Sequence, residues 1–138
     1  MQVVSDNFIH GSAATSNFVE SEGVLGADSL RISQVTYIKR YYQTALMGVG
    51  EVQLQYRYTR DGKISFVGHE LFSGGVGDRR GSFILDTVGT VNPDTGVISA
   101  EQYLVSESCS SEFAGVSGKG SYVVAKNGYC SFEYTIGI

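Results

Sequence analysis

The sequence predicts an all-β protein, a single domain over residues 1–138 built as a closed or nearly closed eight-stranded antiparallel meander barrel. Three observations lead there. Eighteen glycines stand against one proline in 138 residues, roughly double the usual ~7% share of glycine, and they recur between apolar runs instead of gathering in a linker. No segment keeps apolar residues at i, i+3, i+4 and i+7 for more than about two turns, while β-branched and aromatic residues dominate. Short turn signatures separate stretches of similar length, so neighbouring antiparallel pairs are the natural connection. Closing about eight such strands into a barrel also removes the sheet edges they would otherwise expose.

The elements follow from the turn chemistry. A first strand is placed at 11–20 and a long second one at 29–42. The third, 49–59, and the fourth, 63–73, flank "RDG" at 60–62, where glycine supplies the left-handed backbone of a hairpin. "SGGVGD" at 73–78 leads to the fifth, 81–91, and "NPDTG" at 92–96 to the sixth, 97–106. The seventh, 118–125, and the eighth, 129–136, enclose "KNG" at 126–128.

Register then decides what faces inward. On the third strand Val52, Leu54, Tyr56 and Tyr58 share one face, and Glu51, Gln53, Gln55 and Arg57 share the other. A three-residue loop at Arg60-Asp61-Gly62 pairs Thr59 with Lys63, so Tyr58 faces Ile64, Tyr56 faces Phe66, Leu54 faces Gly68 and Val52 faces Glu70. A tight two-residue turn would shift the pairing by one and expel Glu70. The loop is preferred because it sets Ile64, Phe66 and Phe72 beside the apolar face of the third strand. Glu70 then lies inside the barrel, and His69 lies outside beside Gln53. At "NPDTG", pairing Asn92 with Val97 puts Phe83, Leu85, Thr87 and Gly89 on one face with Ala100, Gln102 and Leu104. Thr87 and Gln102 are the polar members of that set.

A carboxylate inside an aromatic barrel is either held by donors as part of the core, with Tyr56, Tyr58 or an arginine as partner, or free for proton transfer and ligand anchoring. Thr87 and Gln102 divide the same way, between bonding each other and orienting a ligand.

Other chemistry finds little support. A net charge of -4 and a pI near 5.0 give no footprint for nucleic acid. "MQVVSDNFIH" lacks the basic start and apolar core of a signal peptide, and no apolar run reaches the ~18 residues of a membrane helix. A cytoplasmic location and no membrane association are therefore expected. In a reducing compartment Cys109 and Cys130 are expected as free thiols. His10 and His69 lack further ligands, so neither metal nor cofactor is expected. "GVGDRRG" at 75–81 lacks the strand-to-helix context and the Lys-Ser/Thr ending of a phosphate loop, and reads as a hairpin with Arg79 and Arg80 solvated at its tip. "GVSGKG" at 115–120 reads as a bulged strand entry. No serine or cysteine sits in a nucleophile-elbow pattern.

From Gly50 onward, "YRYTRDGKISFVGHELFSG" at 56–74, "RRGSFILDTVGTVNPDTG" at 79–96, "SSEFAGVSGKGSY" at 110–122 and the closing "FEYTI" resemble an uncharacterised bacterial domain-of-unknown-function family of small barrels. That family is related in fold to plant allene oxide cyclase. The resemblance implies an eight-stranded antiparallel barrel that self-associates as a homo-oligomer. It places Glu70 at a recurrent acidic position, while Thr87 stands where the family often has histidine, which weakens any Glu–His pair here. Allene oxide cyclase holds its substrate in the barrel, but its polar residues have no one-to-one counterparts in this chain.

Three functions are expected in order. The first is a barrel holding a small, mostly apolar ligand on Glu70, Tyr56, Tyr58, Thr87 and Gln102. The second is a structural, oligomerising barrel with a closed core. The third is an isomerase or cyclase with Glu70 as acid or base and the tyrosines as donors.

Overall fold

A computed structural model of the protein describes residues 6–25 and 30–137. Ser29, read as the head of the second strand, lies outside the described residues, as do the first five residues of "MQVVSDNFIH". The strands are β1 (Asp6–Leu25), β2 (Leu30–Gln43), β3 (Leu46–Tyr58), β4 (Ile64–Val76), β5 (Arg79–Val91), β6 (Ile98–Val105), β7 (Ser117–Val124) and β8 (Tyr129–Gly137). Each is antiparallel to the next, and β1 pairs with β8 to close an eight-stranded barrel. Free thiols remain at Cys109 and Cys130.

The turns set the register as their residues dictate. Thr59 N–H donates to Lys63 O at 2.9 Å, Gly62 takes φ +85°, and Tyr58 pairs with Ile64, Tyr56 with Phe66 and Val52 with Glu70. The bulged loop is thus the one formed, and Glu70 points inward. "KNG" repeats the device, with Ala125 N–H on Tyr129 O at 2.8 Å. At "NPDTG", Asn92 N–H donates to Val97 O at 2.9 Å and Thr87 pairs with Gln102.

Two expectations are corrected. "SGGVGD" is not all turn: β4 runs on to Val76, which pairs with Arg79 across the two residues Gly77 and Asp78. Glycines 74 and 75 therefore belong to the sheet, where Gly74 crosses so close to the β3 backbone that a Cβ would lie 2.2 Å from Met47 O. The first strand is also longer than 11–20, because it serves two neighbours in turn. Its start pairs with β8 from Asp6 to Ala14 and its remainder with β2 from Ala13 to Leu25. A bulge interrupts the second ladder between Ser16 and Val19, with Asn17 at φ +60°.

Alternation sends one face of every strand into the barrel. An aromatic column runs from Tyr41 through Phe72 and Phe83 to Phe113, with ring centroids 5.6, 5.0 and 5.1 Å apart. Full burial of each such ring contributes about 1.5–3 kcal/mol. Phe113 comes from the β6–β7 connection, which carries two short 3₁₀ turns, Ser106–Ser108 and Ser111–Phe113, and plugs this end with no exposed surface. The same connection covers β5 where β6 stops short. Ser110 N–H donates to Ser82 O at 3.0 Å, Ser108 Oγ accepts from Ile84 N–H at 2.7 Å, and Glu112 Oε1 accepts from Arg80 N–H at 2.8 Å. Arg79 also bonds here, to Glu112 O at 3.3 Å, so this arginine is not merely solvated.

Candidate functional site

The inward faces of six strands bring a polar cluster to mid-barrel. Glu70 of β4 supplies a carboxylate with no exposed surface, and Lys39 of β2, equally buried, places Nζ 2.9 Å from its Oε1. Gln102 of β6 donates from Nε2 to the same oxygen at 2.9 Å and to Thr87 Oγ1 of β5 at 3.0 Å. Tyr41 of β2 donates to Glu70 Oε2 at 2.5 Å. Tyr134 of β8 donates to Gln102 Oε1 and accepts from Lys39 at 3.3 Å. The Thr87 hydroxyl itself donates to Leu85 O at 3.1 Å.

The donor count closes. Lysine has three N–H donors and no acceptor. Here two meet Glu70 and Tyr134, and the ammonium also lies 3.6 Å above the Tyr122 ring centroid, a cation–π contact. Tyr122 of β7 in turn shares a 2.5 Å hydrogen bond with Tyr37 of β2. Glycine makes the room: at Gly50, a Cβ would fall 2.0 Å from Glu70 Oε2.

Burial and the adjoining groups act on the phenols. Desolvation pushes the hydroxyls of Tyr37, Tyr41, Tyr122 and Tyr134 well above the usual tyrosine range, and the Glu70 carboxylate pushes Tyr41, Tyr122 and Tyr134 further in the same direction. They are neutral donors at every physiological pH.

Of the residues read as a site, Glu70, Thr87 and Gln102 come together, whereas Tyr56 and Tyr58 do not join them. Tyr56 is stacked on Phe66 with centroids 5.3 Å apart, nearer the barrel end, and Tyr58 donates to Glu20 of β1. Neither is the partner of Glu70; Lys39 and Tyr41 are. His69 is exposed opposite Gln53, as expected. Lys39, Tyr41 and Tyr134 escaped the sequence reading. The signal for the first two was present: β2 alternates Val35, Tyr37, Lys39 and Tyr41 on one face, so one member of the basic Lys39-Arg40 pair had to share the face of the apolar residues.

The interior leaves little space. Tyr56, Phe66 and Phe72 are buried, and beside Tyr41, Phe72, Phe83 and Tyr134 lies a void of about 10 Å³, room for about one water. Small-molecule sites take ~300–1,000 Å³. Larger concavities lie on the outer wall, one of about 790 Å³ bordered by Phe8, His10, Gln43, Tyr129 and Glu133. Among the described residues no cluster of three or more His, Cys, Asp or Glu could hold a metal, and no helix is long and apolar enough to cross a membrane.

Residues 9–136 match the family described as protein of unknown function (DUF3224), and the chain belongs to it. It is also similar to the crystal structure of a protein of unknown function from the DUF3224 family of Shewanella oneidensis MR-1. The two share 19% identity at a TM-score of 0.76, over 96% of this chain and 97% of that one. A likeness at that identity carries the fold alone. No curated protein matches the chain.

Proposed function

We propose that this DUF3224 barrel works through its outside, as a self-associating scaffold with a closed interior. One observation carries the reading: the central carboxylate is consumed by Lys39, Tyr41 and Gln102, and the void beside Tyr41 and Tyr134 is only about 10 Å³. A buried polar group without a partner costs roughly 1–3 kcal/mol, so displacing these partners to admit a ligand is opposed at each bond. The barrel wall has no such constraint, and it exposes Phe8, Val67, Val88, Tyr103 and Tyr129. Sedimentation velocity across a wide concentration range tests it: concentration-dependent oligomers are expected, and a strict monomer sinks the reading.

A second reading has its own support in the Lys39–Glu70 pair. An apolar replacement of a buried ion pair is often as stable, so stability alone does not account for a charged pair at the centre of the barrel. A small, mostly apolar ligand with one polar group would then enter beside Tyr56 and Tyr58 and engage Glu70, Thr87 and Gln102. An isomerase or cyclase version further requires Glu70 to be released from Lys39. Native mass spectrometry of the purified protein separates the two: a stoichiometric added mass supports binding, and the bare chain mass supports the closed core.

A further inference from the structure

Closing staggered strands leaves stretches where a strand outruns its neighbour, and the chain treats those on β5 and β1 differently. On β5, the overshoot past Val105 is covered by the Ser108–Glu112 segment. On β1, pairing with β8 ends at Ala14, where the Thr15 hydroxyl bonds Gly128 O at 2.6 Å. From there β1 continues to Leu25 on β2 alone, and among the described residues no strand or loop bonds its other edge. Asn17 to Glu22 are all exposed.

We propose that this free edge of β1, from Val19 to Leu25, is the docking strand for a second copy of the chain, which adds its own β1 edge antiparallel to it. The inference rests on the self-association reading and names its surface. A row of unpaired N–H and C=O groups recruits a strand by backbone hydrogen bonding. The bulge at Asn17 and Phe18 sets the start of the regular stretch, since a bulge breaks ladder pairing locally.

Symmetry selects the occupant, and charge does not oppose it strongly. Glu20 and Glu22 would favour a basic peptide if they were free, but each is engaged within the chain, Glu20 by Tyr58 and Glu22 by Arg31. Arg31 itself lies 4.2 Å from the Tyr58 ring centroid. The intervening Val19 and Ser21 are uncharged. A second copy therefore meets one uncompensated carboxylate, Glu20, because the Tyr58 phenol that bonds it is neutral, while Arg31 offsets Glu22. Against that single charge, a second copy satisfies two open edges in one contact, because a two-fold interface uses the same patch on both subunits. The Glu20–Tyr58–Arg31–Glu22 cluster and the Phe18–Tyr37 stack, with centroids 4.3 Å apart, hold the hairpin in its strand geometry before docking, which lowers the ordering cost.

The experiment is sedimentation velocity on the wild type, Val19→Lys and Ser21→Lys, with hydrogen–deuterium exchange of residues 16–25 at low and high protein concentration. Both substitutions fall on exposed positions, and circular dichroism checks that they fold. Edge lysines are how sheets resist pairing, so each variant is expected to weaken dimerisation by about tenfold or more, and the β1 amides to slow only where wild-type dimer forms. Should the wild type associate while both variants associate equally and the β1 amides exchange alike at all concentrations, self-association stands and the β1 edge is wrong. A wild type that stays monomeric throughout removes both ideas together. Edge amides protected in that monomer only by an added extended basic peptide would give the strand to a heterologous partner instead.

Discussion

The centre of the barrel and the far edge of β1 are opposite solutions to one problem, the placing of polar groups. At the centre, Lys39, Glu70, Gln102, Thr87, Tyr41 and Tyr134 bond one another. Along β1 beyond Ala14 the outer backbone groups have no bonded strand among the described residues. The difference follows from water. A buried polar atom without a partner bears its full desolvation cost, whereas an exposed backbone group trades a protein bond for a water bond at little net expense. The interior therefore pairs most such groups, with Ser33 Oγ and Gln43 Oε1 as buried exceptions among the described residues, whereas the edge can be left open.

The comparison breaks most severely at Glu70. Glu70→Ala leaves the Lys39 ammonium buried without its counter-ion, and about 3–5 kcal/mol of stability should be lost in chemical denaturation. The double variant Lys39→Met with Glu70→Leu sharpens it, since removing both charges at similar volume should return most of that loss. If the double variant is as unstable as Glu70→Ala, the centre depends on its charges for more than mutual neutralisation.

Alkaline pH attacks the same centre by another route. The folded pKa values of Tyr37, Tyr41, Tyr122 and Tyr134 are raised above the ordinary tyrosine value of 10.0. Their contribution is whole below that pH and is lost as pH rises past it, because the unfolded chain releases these protons first. Absorbance of tyrosinate should accordingly show a fraction of tyrosines ionising only together with unfolding. Gradual ionisation with the fold intact would mean that the centre is open to solvent.

Smaller effects lie at the edges. Ser110→Ala removes the side-chain bonds to Ser82 N–H at 2.9 Å and Ser82 Oγ at 2.9 Å, costing about 1 kcal/mol by urea titration and exposing part of the covered β5 edge. Val19→Lys at the open edge should change the stability of the isolated monomer by no more than about 0.5 kcal/mol, as for surface positions generally. A much larger loss there would mean that Val19 is already packed within its own chain.

Reading the sequence reached Glu70 because "RDG" chooses between two registers, and only one of them keeps Ile64, Phe66 and Phe72 on the apolar side. It reached the Thr87–Gln102 pair by the same logic at "NPDTG". The partners Lys39 and Tyr41 lie on a strand joined to β3 through Thr44 and Ala45, a connection without the glycine or asparagine that would reveal its register. Tyr134 is further removed: it meets Tyr41 across 93 residues of sequence, a contact that exists only because β8 closes on β1.

Local chemistry by itself determined that the chain forms strands, where most of them turn, and which of two faces the residues of β3 to β6 present, since alternation and left-handed turn positions act over a few residues. Three features were decided only by the tertiary structure: the partners of Glu70, the filling of the interior and the open edge of β1. All three depend on how far the strands shear and tilt as the barrel closes, and at eight strands the lumen is just wide enough for the side chains themselves. That geometry belongs to the whole sheet and to none of its segments.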